Sequence, residues 1–165
     1  MAQTVVTGTA AAPYRPGFLA QRDGAFLEAA VRRLPRPPEV LLVDATGRDH
    51  PRRAGLALHL GAVLGVPSVG VTRRPLVASG AMPPHERGAI SPLYLNGELV
   101  ACWTRTRRAA RPIVAHAGWR TTAETAVSLV LATSSEGARI PAPLGEARRV
   151  AREARAIDEG RLRQP

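Results

Sequence analysis

An aliphatic run, Val40 to Val43, ends on the carboxylate of Asp44, and a glycine-bearing loop then delivers His50, Pro51, Arg52 and Arg53. A carboxylate at the carboxyl end of a buried strand stands where open α/β sheets place ligands. An imidazole and two guanidinium groups a few residues on are what a metal-bound phosphate needs around it. These residue types in this order point to phosphodiester chemistry. Asp44 is the leading metal-ligand candidate, with capping of the loop as its alternative. Asp23 is the second carboxylate, and its alternative is an N-cap, which Asp performs well. His50 reads as a ligand, a partner of a metal-bound water or a helix cap. His59, among Leu56, Leu60 and Val63, reads as a core or interface histidine. Two carboxylates near a basic frame suggest hydrolysis assisted by Mg²⁺, with Mn²⁺ as a substitute. Such an ion prefers carboxylate oxygens, polarises the phosphoryl oxygen and lowers the pKa of an attacking water. Two are a thin set, because such sites usually gather three or more.

Positioning these groups falls to an α/β arrangement. Val40–Val43 and Pro67–Val71 are apolar runs of the kind buried on both faces. A helix expected from Pro51 to Leu64, stopped by Gly65, lies between them. Strand, helix and strand make a βαβ unit with parallel strands. An earlier helix is expected over Asp23–Leu34, ended by the prolines of 35–38, and Gln3–Thr9 reads as a short strand. Arg73–Ala89 is a long loop, and long loops are commonly functional or mobile. Leu93–Ala101 is a hairpin turning at Asn96-Gly97. Ile113–Ala115 is a further short strand, and Thr121–Thr133 a helix opened near Glu124. One domain is expected over residues 1–155, followed by a charged tail, 156–165.

The net charge is +10, and all 23 basic residues are arginine. Phosphate recognition explains that, since the guanidinium fork matches phosphate geometry. GC-rich coding explains it too, because there is one asparagine and no lysine. Either way, the charge favours association with nucleic acid. The single cysteine, Cys102, forms no internal disulfide and has no metal-ligand spacing around it. No apolar stretch approaches the ~20 residues of a membrane span. The opening residues lack the basic region of a secretory signal. The cytoplasm is the expected location, with no required protein partner.

Several blocks resemble the endonuclease V family. Tyr14 to Asp23, Tyr-Arg-Pro-Gly-Phe-Leu-Ala-Gln-Arg-Asp, is similar to its Pro-Tyr-x-Pro-Gly-x-Leu-x-x-Arg-Glu segment. Val43 to Gly55 resembles its Val-Asp-Gly-x-Gly-x-x-His-Pro-Arg-x-x-Gly signature, and Val66 to Leu76 its Pro-Thr-x-Gly-Val-Ala-Lys-x-x-Leu block. Order and spacing agree from about Pro13 to Arg120. The resemblance implies a ribonuclease H-like mixed sheet with flanking helices. It also implies Mg²⁺-dependent cleavage near a deaminated base, chiefly inosine, in DNA or RNA, as in DNA repair. By the same resemblance, Asp44 and Asp23 are metal ligands, His50 assists them, and Arg73 takes a catalytic lysine's place. Tyr14 with Pro16 becomes a wedge between base pairs. Gly17, Leu19 and Leu76 line a pocket for the flipped base, with Arg52 on the substrate.

This chain departs from those patterns at four places. Asp23 replaces a glutamate, Arg73 a lysine, Trp119 a histidine and Ala45 a glycine. The family's first carboxylate, in an Asp-Val-Gly-type strand, falls before residue 1. The expectation is therefore a shortened or mis-started member lacking the first strands of the fold, with the edge of Gln3–Thr9 open to self-association. A non-catalytic nucleic-acid-binding remnant is the alternative to an active metal-dependent endonuclease.

Overall fold

A computed structural model of the chain describes residues 2–10, 13 and 15–160. Among them, in order, are α1 (Leu19–Arg32), β1 (Leu41–Val43), α2 (Leu56–Leu64), β2 (Ser68–Thr72), β3 (Ile90–Leu95), β4 (Glu98–Thr104), β5 (Ile113–Ala117), α3 (Ala123–Ala132) and α4 (Ala142–Asp158). The strands form one mixed sheet ordered β1-β2-β5-β4-β3. As the βαβ reading requires, β1 and β2 are parallel, with Leu41 opposite Ser68 and Val43 opposite Gly70. The remaining pairings are antiparallel. The hairpin turns at Asn96 and Gly97 with φ of 52° and 80°, the positive pair that a tight I′ turn needs. None of the described helices is long and apolar enough to cross a membrane.

Alternation along the strands sorts side chains onto two faces. Val69, Val71, Ile113 and Ala115 meet Ala126, Val127 and Val130 of α3 on one. Leu41 and Val43 meet Leu56, Ala57 and Leu60 of α2 on the other, and α1 packs on α2. Each buried valine, leucine or isoleucine among them contributes about 1.5–3 kcal/mol, and each alanine methyl group about 0.8 kcal/mol. Thr122 caps α3 by accepting the Thr125 N–H at 3.2 Å. Cys102 is buried against α3, where burial and the nearby Glu124 charge raise its thiol pKa.

Three elements differ from expectation, each because tertiary contacts override a local signal. Helix α1 begins at Leu19, so Asp23 lies in its second turn and caps nothing; Phe18 is the N-cap and makes no side-chain cap bond. Helix α2 begins at Leu56. Residues 50–53 make a turn of their own, with Arg53 at φ 58° and its N–H donating to His50 O at 2.8 Å. Gln3–Thr9 is no strand: it lies against helices, with Thr4 Oγ1 donating to Ala30 O at 2.7 Å and Gln3 Nε2 to Glu146 Oε1 at 3.1 Å. The segment expected to be a charged tail is helical as far as Asp158, and residues 161–165 lie outside the described residues.

The loop after β1 is pressed onto the sheet. A Cβ at Gly47 would sit 2.0 Å from the Ala117 carbonyl oxygen, so only glycine fits there. Arg48 N–H donates to that same oxygen at 2.9 Å, and Gly55 N–H donates to Gly47 O at 2.8 Å. The far part of the long loop is tied as well. The buried guanidinium of Arg105 donates to the carbonyls of Pro83, Pro84 and Ala110. Replacing Gly47 with alanine is expected to lower stability by about 1–3 kcal/mol. Urea unfolding followed by circular dichroism measures it; an unchanged midpoint would mean that the loop does not rest on β5.

Candidate functional site

Where β1 and β2 end, three loops enclose a cavity of about 670 Å³. Gly17, Phe18 and Leu19 form one wall, Pro75 and Leu76 face them, and Asp44, His50 and Arg52 come from the loop between. Gly17, Leu19, Leu76, His50, Arg52 and Asp44, all singled out by sequence, are thus brought together. The rim is basic. The guanidiniums of Arg15 and Arg52 lie 4.9 and 4.7 Å from the ring centroid of Phe18, close enough for cation–π attraction. Arg52 also donates to Gly17 O at 2.6 Å.

His50 is buried, and both of its ring nitrogens are engaged. Nδ1 accepts the Arg52 N–H at 3.1 Å, which places the ring proton on Nε2 to donate to Gly17 O at 3.1 Å. His50 therefore ties the 50–52 turn to the loop before α1, and neither nitrogen is free to ligate a metal.

Asp44 stands at the end of β1 as expected, and its carboxylate is held by a side chain that sequence reasoning missed. Arg148 of α4 meets both oxygens, Nε donating to Oδ2 at 2.7 Å and Nη2 lying 2.6 Å from Oδ1. This is a bidentate fork, the geometry in which guanidinium suits carboxylate best. Asp23 faces a different cavity, between α1 and α4, and Arg22 Nη1 lies 3.0 and 3.2 Å from its two oxygens. The two carboxylates do not line a common cavity. Among the described residues, no group of three or more His, Cys, Asp or Glu side chains is placed to hold a metal. One carboxylate already neutralised by arginine is not a donor set for a divalent cation, so these residues do not fit one as they stand.

Beneath the cavity lies a second acid with no signal in its sequence context. Asp49 is fully buried. Its Oδ2 accepts the Leu76 N–H at 2.7 Å, and its Oδ1 accepts Val77 N–H at 2.9 Å and Ala78 N–H at 2.7 Å. Behind it is His116, also fully buried, with Nδ1 3.7 Å from Asp49 Oδ2. Thr72 Oγ1 donates to Arg74 O at 2.6 Å and lies 2.7 Å from His116 Nε2. Having spent its proton on Arg74, Thr72 accepts from Nε2–H, which leaves His116 Nδ1 without a hydrogen-bond partner. Burial holds the imidazole down to about 4, outweighing the opposite pull of Asp49.

Arg73, Pro16 and Trp119 are not among the residues that line the cavity. Arg73 is exposed and sits near Arg111 and Arg139, whose mutual repulsion adds to burial in lowering the Arg139 pKa; it is Arg74 that lines the cavity. Pro16 is exposed, and Tyr14 lies outside the described residues. Trp119 packs where a Cβ on Gly61 would strike it; its backbone N–H donates to Ser68 Oγ at 2.9 Å, and its buried indole N–H has no hydrogen-bond partner among the described residues. His59 is partly buried beside Gly24 of α1 and contributes to the cavity wall.

The endonuclease V family model matches residues 1–149. An endonuclease V from Geotalea uraniireducens is 42% identical over 153 residues, covering 93% of this chain and 65% of its own length. The crystal structure of endonuclease V from Streptomyces avermitilis superposes with a TM-score of 0.81 at 35% identity, over 91% of this chain and 64% of that one. The catalytic domain of human endonuclease V does so with 0.83 at 32%, over 93% and 68%. The chain thus spans about two thirds of the length of these relatives.

The buried imidazole makes stability depend on pH. The unfolded chain takes up a proton near 6.5, whereas folded His116 does so near 4. Stability from this group is complete above about 6.5 and is lost as pH falls from there toward 4. The loss is expected to approach roughly 3 kcal/mol. Thermal unfolding of wild type and His116→Asn across this range checks it: the acid-side fall is expected to flatten in the variant, and equal slopes would contradict it.

Proposed function

This chain belongs to the endonuclease V family, and on that premise we propose that it recognises a deaminated base in a nucleic-acid strand for metal-dependent cleavage beside it. The family is one of metal-dependent nucleases. Mg²⁺, or Mn²⁺ in its place, is the cation in this reading, inosine the base, and the cytoplasm the location. One observation carries the reading. The loop before α1, the loop after β1 and the loop after β2 enclose a single cavity with Gly17, Leu19 and Leu76 on its walls and a basic rim.

Each part has a chemical use. A cavity of this size, with Leu19 and Leu76 on its walls and polar groups between them, accepts a base swung out of its stack. Arg15, Arg52 and Arg74 face the backbone charge of the strand, and guanidinium binds phosphate through a fork. The contact of Arg52 with Gly17 O and the Phe18 ring holds its head in place before any phosphate arrives. Asp44 is the residue that would face the cation, which would supply Lewis acidity at the scissile phosphate. The described donor set does not build that cage, so no step is assigned through it.

The Asp44–Arg148 fork favours a second reading, recognition without cleavage. A guanidinium on both carboxylate oxygens supplies there the positive charge that a cation would otherwise bring.

Incubation of the full chain with inosine-containing DNA and RNA, with Mg²⁺ or Mn²⁺, tests the first reading. Products cut beside inosine and absent from adenosine controls are expected. Salt-sensitive, inosine-preferring binding without products would establish the second reading, and neither binding nor products would sink both. Under the second reading, Arg148→Gln is expected to strengthen Mn²⁺ uptake about fivefold in a calorimetric titration, as removal of one adjacent charge would do.

A further inference from the structure

The two walls of the cavity are held by neighbours in sequence. His50 reaches Gly17 O on one side, and Asp49 takes the N–H groups of Leu76, Val77 and Ala78 on the other. We propose that Asp49 is the positioning residue of the base pocket: its carboxylate fixes the Leu76 wall at a set distance from the Gly17 wall and so sets which base the pocket accepts. This rests on the base-recognition reading above.

The wall has little else to hold it. Leu76 and Val77 are 39% and 42% exposed, so apolar burial does not fasten their side chains. Their backbone lies in a loop between β2 and the isolated bridge of Ser79 with Tyr94, outside regular pairing. Three consecutive N–H groups converging on one carboxylate supply the missing order. A carboxylate removed from water is costly unless donors replace its hydration, and here they all come from the wall it holds. On its other flank His116 fills the space behind Asp49 without a hydrogen bond to it, and the His116–Thr72–Arg74 chain anchors the start of the same loop. Exchange of an exocyclic amine for a carbonyl changes a base by a few atoms, and a site that senses it must hold its walls to about 0.5 Å.

Asp49→Asn separates positioning from shape. An amide that keeps its oxygen on Val77 and Ala78 turns its NH₂ toward the Leu76 N–H, two donors facing each other. The release then falls on the pocket residue. Amide hydrogen exchange on the wild-type chain comes first. Protection of Leu76, Val77 and Ala78 is expected despite the exposure of the first two, and exchange at open-chain rates would overturn the proposal without any variant. In Asp49→Asn, protection at Leu76 is expected to fall at least about tenfold more than at Ala78. The ratio of affinities for inosine- and adenosine-containing strands is expected to fall by about tenfold, with the salt dependence of binding retained. A variant with lowered Tm and an unchanged ratio would make Asp49 a structural residue only and overturn the proposal. A wild-type chain with protected amides and no preference for inosine would instead sink the base-recognition reading, and the pocket role of Asp49 with it. An inosine preference that survives Asp49→Asn sinks the positioning role alone.

Discussion

A carboxylate sealed from solvent survives in a fold only where donors converge on it, and Asp49 draws three of them from a segment that would otherwise be a free loop. The loop after β1 can reach that segment because Gly47 lets it lie flat on the end of β5. The same loop then carries His50 to the Gly17 carbonyl. Three separate stretches of chain become one cavity through this single crossing. The βαβ unit beneath supplies rigidity, and the crossing supplies the walls.

Charge completes the picture. A strand-end carboxylate is where an open sheet presents a group to a ligand, and here Asp44 presents it to Arg148. The fork joins α4 to the end of β1 and leaves that corner neutral. The rim from Arg15 to Arg52 and Arg74 keeps its positive charge, which on the proposed reading meets a phosphate backbone. A cavity with a basic rim is built into the described residues. The cage for a cation is not.

Sequence revealed what short-range physics decides. Apolar runs bounded by Gly and Pro located β1 and β2 and their parallel pairing, Asn96-Gly97 located the hairpin, and Thr122 opened α3 close to where it was expected. Gly17, Leu19, His50, Arg52 and Leu76, which block spacing singled out, line one cavity. Features that depend on distant partners stayed hidden. Asp44 and Arg148 are 104 residues apart. Asp49 sits in a polar loop whose pattern says nothing of burial. Asp23 looks like a ligand only until α1 is seen to start a turn earlier and turn it toward α4. Arg74 rather than Arg73 lines the cavity, a one-residue difference below what spacing resolves. Gln3–Thr9 has β-branched residues but is hydrogen-bonded to α1 and α4.

The most direct measurement is a crystal structure of the chain with a short inosine-containing oligonucleotide. The base is expected between Gly17 and Leu76, with its flanking phosphate on Arg52 or Arg74. An oligonucleotide lying along the arginines of α4, with the cavity filled only by solvent, would contradict base recognition by these walls.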